Sequence, residues 1–345
     1  MRAIVIHAAK DLRVEAAAPT ALLGPTDVEV RIETGGICGS DLHYYQHGGF
    51  GVVRIKEPMI LGHEVAGRIT RLGSAVAHLK VGARVAVSPS RPCRQCRYCQ
   101  AGQQQHCLDM RFYGSAMRFP HVQGAFREIL VTDAGQCHPV APTLTAAEAA
   151  MAEPLAVCLH AGRQAGALLG RRVLVTGSGP IGALCMLVAR RAGAAEIVVT
   201  DVADAPLAIA RRLGADRTIN VATELQALVP YAADKGHFDA LFEASGTGAA
   251  LVAAFDVLRP GAVIVQVGLG GTVTLPINTV VAKEFELRGT FRFHEEYALA
   301  VDLMGRGLID VKPLVTATLP MERAVEAFEL AGDRSRAMKV QLAFE

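Results

Sequence analysis

Four cysteines, Cys93, Cys96, Cys99 and Cys107, stand within fifteen residues in the spacing C-x-x-C-x-x-C-x7-C. Four thiolates on one short lobe, with no position left open, describe a closed tetrahedral zinc that holds structure rather than reacts. Three other segments carry mixed donors. GGICGSDLHY at 35–44 sets Cys38 beside Ser40, Asp41 and His43; His63 and Glu64 are adjacent; Glu153 precedes Pro154 at an expected helix start, where a carboxylate suits the helix dipole. A catalytic zinc takes three N, S or O side chains and keeps one position open. Cys38, His63, Glu64 and Glu153 are side chains of these kinds. Taken singly, each has an ordinary reading: Cys38 as a small core residue, His63 as a strand histidine, Glu153 as a helix-start charge. Their joint presence is what points to chemistry.

A second chemical signal is Gly177-Ser178-Gly179-Pro180-Ile181-Gly182, the pattern G-x-G-x-x-G. Its glycines permit a tight turn and close approach of backbone to a pyrophosphate, which sits at the following helix N-terminus. Alone the pattern is weak, and methyltransferases also carry glycine-rich loops. Here a strand, VLVT at 173–176, precedes it and an amphipathic helix follows. Asp201 ends the next strand, where a carboxylate can accept a hydrogen bond from a ribose 2′-OH and repel a 2′-phosphate. Val267 and Gly268, closing AVIVQVG at 262–268, are further candidates to line that cofactor site. The expectation is a nicotinamide cofactor, with NAD preferred over NADP.

The elements that must position these groups fall into two kinds. Residues 27–33 (DVEVRIE) alternate apolar and charged side chains, as a half-buried strand does; 63–72, 82–87 and 126–131 are further strand candidates. Thr145 and Glu148 have the spacing of a capping box, and Pro154 suits the first turn of a helix running to Ala165. From Arg172, strands at 173–177, 196–201, 238–244 and 262–268 alternate with helices near 180–192, 205–213 and 247–258. That alternation predicts an α/β, doubly wound parallel sheet of the Rossmann kind. It stops near 286, after which a strand at 287–293 and more helix follow. The expected division is a discontinuous, mostly-β domain at 1–151 and 287–345, carrying metal and substrate, around a dinucleotide-binding domain at 152–286.

Composition limits the alternatives. The 345 residues are 51% apolar but 5% aromatic, with no Trp, so aliphatic side chains must build the core. The net charge of +2 and the lack of a basic block argue against a nucleic-acid surface, including a zinc ribbon that binds one. No apolar run approaches the roughly 18 residues of a membrane span. The apolar run in MRAIVIH is short for an export signal, so a cytoplasmic protein with reduced thiols is expected.

The motifs G-G-I-C-G-S-D-x-H, G-H-E-x-x-G, the four-Cys lobe, A-E-P-L-A-V and G-S-G-P-I-G occur in the order and spacing of the zinc-containing medium-chain dehydrogenases, and the whole chain resembles that family. Glu153, where the classical alcohol dehydrogenases have a Cys, is similar to the sorbitol dehydrogenase branch. Segments 41–45 (DLHYY), 109–120 (DMRFYGSAMRFP) and 288–293 (RGTFRF) look like members that act on a sugar acid. The resemblance implies a GroES-like catalytic domain beside the Rossmann domain, and two zinc ions per chain, a structural one and a catalytic one held by Cys38, His63 and a carboxylate from Glu64 or Glu153. It implies a homodimer or homotetramer, and hydride transfer from a secondary alcohol to NAD(P). Ser40 and His43 match the proton relay; Tyr44 and Arg292 match positions that meet polyol hydroxyls, with Arg118 a candidate for a carboxylate. L-idonate, oxidised to 5-keto-D-gluconate, is the substrate implied first. Sorbitol or xylitol is the alternative and L-threonine a more distant one. A catalytically inactive zinc-binding scaffold would require loss of Cys38, His63 or the glycine loop, and all three are intact.

Overall fold

The computed structural model describes residues 1–18 and 22–344. It forms two compact units: Met1–Ala156, Phe293–Asp333 and Lys339–Glu345 in the first, Val157–Arg292 and Arg334–Met338 in the second. No helix among the described residues is long and apolar enough to cross a membrane.

The first unit is built on a seven-stranded sheet. Its path runs Cys137–Pro139, Arg84–Val87, Glu64–Leu72, Asp27–Gly36, Lys339–Ala343, Val315–Pro320, with Ile129–Asp133 also paired to Asp27–Gly36. In Asp27–Gly36 the alternating Val28, Val30 and Ile32 are all fully buried, as the period of two requires. Register then places three distant segments at one sheet end: Gly36 lies opposite Glu64 on one side and Gln341 on the other. Cys38 follows this strand, His63 precedes its neighbour, and Lys339 opens the third.

The helix Gly39–His47 was not foreseen as one. Its buried face is Asp41, Tyr44 and Tyr45, at i, i+3 and i+4, so a carboxylate and two phenols replace the usual aliphatic stripe. Asp41 reaches back to accept from the Cys38 N–H at 3.0 Å, and Gly48 ends the helix at φ 67°. The box at Thr145 and Glu148 caps the short helix Ala146–Ala149, and Ala152–Ala165 follows separately with Pro154 in its first turn.

The second unit holds a six-stranded parallel sheet. Counted along the chain, its neighbours run three-two-one-four-five-six, the doubly wound order, with a switch point between Arg172–Thr176 and Phe238–Glu243. The sixth strand, Glu286–Gly289, pairs in parallel with Leu258–Gln266. The expected boundary after 286 therefore moves to 292, because ladder hydrogen bonds keep 286–289 in the parallel sheet; the earlier boundary moves from 151 to 156. The strand expected at 287–293 is confined to its first half, and the helix expected at 247–258 spans Gly248–Ala254.

Candidate metal centre and cofactor loop

In the first unit, one donor atom each from Cys38, His63 and Glu64 lie within 4.8 Å of one another, as do those from Cys93, Cys96, Cys99 and Cys107. All eight cysteines are free thiols. In the four-Cys lobe, Cys93 Sγ and Cys99 Sγ are 4.0 Å apart. A tetrahedral zinc with ~2.3 Å bonds needs about 3.8 Å between sulfurs, whereas a disulfide needs about 2.05 Å. Backbone N–H groups already aim at the sulfurs: Cys93 and Asp109 donate to Cys107 Sγ at 3.1 and 3.3 Å, and Cys96 donates to Cys93 Sγ at 3.3 Å. Such donors favour thiolates. The backbone N–H groups of Cys99 and Leu108 hold the Cys96 thiol down to about 6, while burial pushes Cys99 up to about 12. The lobe fits a zinc that displaces the remaining thiol protons.

The second cluster is deeper. His63 and Glu64 are 4% and 1% exposed, and Asp41 is fully buried. Asp41 ties the donor segments together: it accepts from the N–H groups of Cys38 at 3.0 Å and Gly62 at 3.3 Å. Its Oδ1 also lies 3.7 Å from His63 Nδ1, a charge contact longer than a hydrogen bond. His63 Nδ1 is buried without a hydrogen-bond partner among the described residues, which suits a ring that awaits an ion or carboxylate partner. Burial, then Glu64, pushes the Cys38 thiol up to about 11. Burial likewise pushes Glu153 up to about 8, with Glu64 and Cys38 adding and His63 opposing. Buried anionic donors held as neutral acids are the state a dication reverses. Soft S, imidazole N and carboxylate O within 4.8 Å of one another fit zinc.

Lys339 was missed by sequence reasoning. Its ammonium is buried, pairs with Glu64 and donates to Ile37 O at 2.9 Å. Burial alone would lower its pKa, but Glu64 and Cys38 raise it above the usual value, so it stays charged. Glycine at 36 leaves the room: a Cβ there would come within 2.2 Å of Glu64 Oε2. Three acidic donors, Cys38, Glu64 and Glu153, thus have the Lys339 ammonium as a neighbour.

The other site candidates separate into groups. Ser40 is half-buried and His43 exposed, on the helix Cys38 begins. Tyr44 is 2% exposed and its hydroxyl accepts from Ala116 N–H at 2.9 Å, which stitches segment 111–121 to the centre; the Phe112 and His63 rings lie 5.6 Å apart, tilted by 51°. Arg118 pairs with Asp109 at 2.5 Å and, with Arg111, Phe119, Pro120 and His121, lines an open cavity of about 580 Å³. His121, the other basic candidate there, has both ring nitrogens engaged: Nε2 accepts from Lys56 N–H at 2.8 Å, and Nδ1–H donates to Arg118 O at 2.7 Å. It holds the loop. Arg292 lies in the second unit at φ 54°, its guanidinium over the Phe291 ring.

In the second unit, the glycine loop has the geometry its pattern predicts. Gly177 has φ 86°, Gly179 caps the helix Pro180–Arg191, and a Cβ at Gly182 would strike Gly177 O at 1.8 Å. A Cβ at Gly179 would project into open space, the approach a pyrophosphate requires. Ile181 O accepts from the Cys158 thiol at 3.4 Å. Asp201 braces this loop, accepting from the N–H groups of Ser178 at 2.6 Å, Val202 at 2.7 Å and Ala203 at 3.0 Å. A carboxylate offers about four acceptor positions, so one remains for a ribose hydroxyl. Val267 and Gly268 donate to Glu243 O at 2.9 and 2.8 Å. Glu243, fully buried and unforeseen, accepts from Gly246 N–H and from Gln266 Nε2 at 2.6 Å, and so shapes the loops at the switch point. The residues present fit a dinucleotide.

A doubly wound dinucleotide fold joined to a mostly-β unit with a four-Cys lobe and a Cys-His-carboxylate centre defines a zinc-dependent dehydrogenase. Residues 24–142 match the family model described as the alcohol dehydrogenase GroES-like domain, and 180–306 match that of the zinc-binding dehydrogenases. The chain belongs to the zinc-containing medium-chain alcohol dehydrogenase family. It is 44% identical over 316 residues to L-idonate 5-dehydrogenase (NAD(P)(+)) of Escherichia coli, covering 91% of each chain. It is 38% identical to the sorbitol dehydrogenase of Gallus gallus, covering 99% of this chain and 95% of that one. The crystal structure of L-idonate 5-dehydrogenase from Escherichia coli superposes with a TM-score of 0.94 at 41% identity, covering 99% of this chain and 97% of the other.

Proposed function

We propose that this enzyme oxidises the C5 hydroxyl of L-idonate to 5-keto-D-gluconate with NAD, reversibly. The observation that carries the metal-dependent part is the cluster of Cys38, His63 and Glu64 donor atoms within 4.8 Å of one another. Zinc held there would lend the Lewis acidity that makes a substrate hydroxyl easier to deprotonate, and the nicotinamide would take the hydride. The chain's own groups do the rest. Cys38, His63 and either Glu64 or Glu153 hold the ion. Ser40 takes the hydroxyl proton, and His43, one helical turn on and exposed, passes it to solvent. Tyr44 and Arg292 serve the substrate hydroxyls. The reading carries with it two zinc ions per chain, a cytoplasmic location and a homodimer or homotetramer.

The substrate assignment rests on the basic loop. A sugar acid differs from sorbitol by a terminal carboxylate, which needs a cation near the site. Arg118 and Arg111 border the open cavity, and the exposed Arg118–Asp109 pair, worth about 0.2–1 kcal/mol, is weak enough to yield to a substrate carboxylate. A bidentate charge-assisted contact contributes about 1.5–3 kcal/mol. L-idonate should therefore exceed sorbitol in kcat/KM by at least about tenfold, and Arg118→Ala should shrink that ratio by weakening idonate. A panel of L-idonate, D-gluconate, sorbitol, xylitol and L-threonine, followed at 340 nm, decides it. Equal turnover of sorbitol would hand the assignment to the polyol reading.

NAD preference rests on Asp201, with no cation in Val202 or Ala203 to receive a 2′-phosphate. Asp201→Ala should narrow the kcat/KM gap between NAD and NADP. Because it also frees the Ser178 N–H, it should weaken both cofactors somewhat. Equal use of the two by the unaltered enzyme would refute the argument.

A further inference from the structure

We propose that His43 and His47 form a third metal site, a surface chelate for a borderline divalent ion such as Ni²⁺, Cu²⁺ or excess Zn²⁺, and that its occupation shuts off turnover. The two histidines are four residues apart on the helix Gly39–His47, so they project from one face. Both are exposed, and their ring centroids are 6.0 Å apart with planes inclined by 38°. An ion bonded at ~2.1 Å to a ring nitrogen lies about 3.2 Å from that ring's centre. Two rings sharing it then stand about 5.2 Å apart at a tetrahedral angle and about 4.5 Å apart in the cis positions of an octahedral or square shell. The observed 6.0 Å is roughly 1 Å or more wider, so side-chain rotation of the two exposed rings has to close the chelate. Imidazole pairs suit these ions, and water completes the shell. Nothing in the catalytic or structural zinc set uses His47, which adds a second ligand at high effective concentration to whatever His43 binds.

The consequence for turnover rests on His43 as the proton outlet proposed above. An ion on its ring nitrogen removes the lone pair that would carry the proton to solvent. Capture of His43 therefore stops proton release without disturbing the buried centre. This makes the outlet, rather than the buried zinc pocket, the place where excess metal inhibits.

The test uses the zinc-loaded enzyme titrated with Ni²⁺, with binding followed by calorimetry, turnover by absorbance at 340 nm, and zinc content measured afterwards. The expected result is one Ni²⁺ per chain, retained zinc, and turnover falling at the same midpoint. His47→Gln, on the surface and outside the catalytic set, should keep basal turnover and raise both midpoints at least about tenfold. No Ni²⁺ bound, or Ni²⁺ bound equally by His47→Gln, overturns the site. Binding that His47→Gln weakens while turnover stays untouched by Ni²⁺ leaves the site standing and overturns the outlet role of His43. Inhibition accompanied by zinc loss overturns the site as its cause.

Discussion

Cys38→Ser should leave the enzyme folded with one zinc per chain instead of two, and turnover should fall by at least about a thousandfold. The expectation follows from the difference between the two clusters. On the proposed function Cys38 is one of three donors in an open set, so its loss would remove an ion whose Lewis acidity would account for several kcal/mol of barrier lowering. Its surroundings, Asp41 accepting from Cys38 N–H and Gly62 N–H, do not depend on the sulfur. Cys99→Ser should do the reverse. Cys99 is 6% exposed in a lobe whose short helix Arg97–Gln100 has four residues, of which Cys99 is the buried one. There the ion's binding energy is folding energy. Elemental analysis, thermal unfolding and steady-state rates on the same preparations separate the two. One zinc or none in active unaltered protein, or full activity in Cys38→Ser, would sink the two-site account.

The two clusters also show what a sequence can and cannot disclose. The four-Cys lobe and the glycine loop are local: each donor lies within a few residues of the next, so spacing alone describes their geometry. The strands of the second unit were legible because a buried parallel strand reads as a run of Val and Ile, as in EIVVTD at Glu196–Asp201. Glu286–Gly289 was harder. Its side chains are mostly exposed, so no apolar run marked it as a sixth strand, and only its ladder with Val263–Gln266 assigns it. The helix Gly39–His47 hid for a related reason: its inward face is polar, so the period of a helix was present without the hydrophobicity that usually reveals it. Arg118 and His121 could be seen as basic residues, but nothing local said that one pairs with Asp109 and the other spends both nitrogens on backbone. Whether Glu64 or Glu153 completes the metal set is equally a question of three dimensions. Glu64 shares the compact cluster with Cys38 and His63, while burial and neighbouring anions act on Glu153 beside them.

Lys339 is the extreme case, 302 residues from the carbonyl of Ile37 to which it donates, and its removal should have the second large effect. In sequence it is a charged residue at the start of a strand near the end of the chain, a place where solvent is the usual neighbour. In the fold it is a buried cation beside Cys38, Glu64 and Glu153, ion-paired with Glu64. Lys339→Met keeps the length of the side chain and deletes the charge. It leaves Glu64, 1% exposed, without its ion pair and Ile37 O without its donor. Breaking a buried pair by removing one partner costs about 3–5 kcal/mol, a large part of the 5–15 kcal/mol that holds a typical domain. A bound dication offsets part of that uncompensated charge, so the variant should depend on zinc for stability more than the parent does. Chelation should lower its unfolding temperature by more than it lowers the parent's. The cause is isolated by Glu64→Gln in the same background. With both charges gone, the double variant should recover much of the lost stability, so the two costs fall clearly short of adding. It should not recover activity if Glu64, which clusters with Cys38 and His63, is the carboxylate that holds the ion. If Lys339→Met costs the same whether position 64 is Glu or Gln, the ammonium acts through packing or through Ile37 O alone, and the charge balance drawn for this centre is wrong.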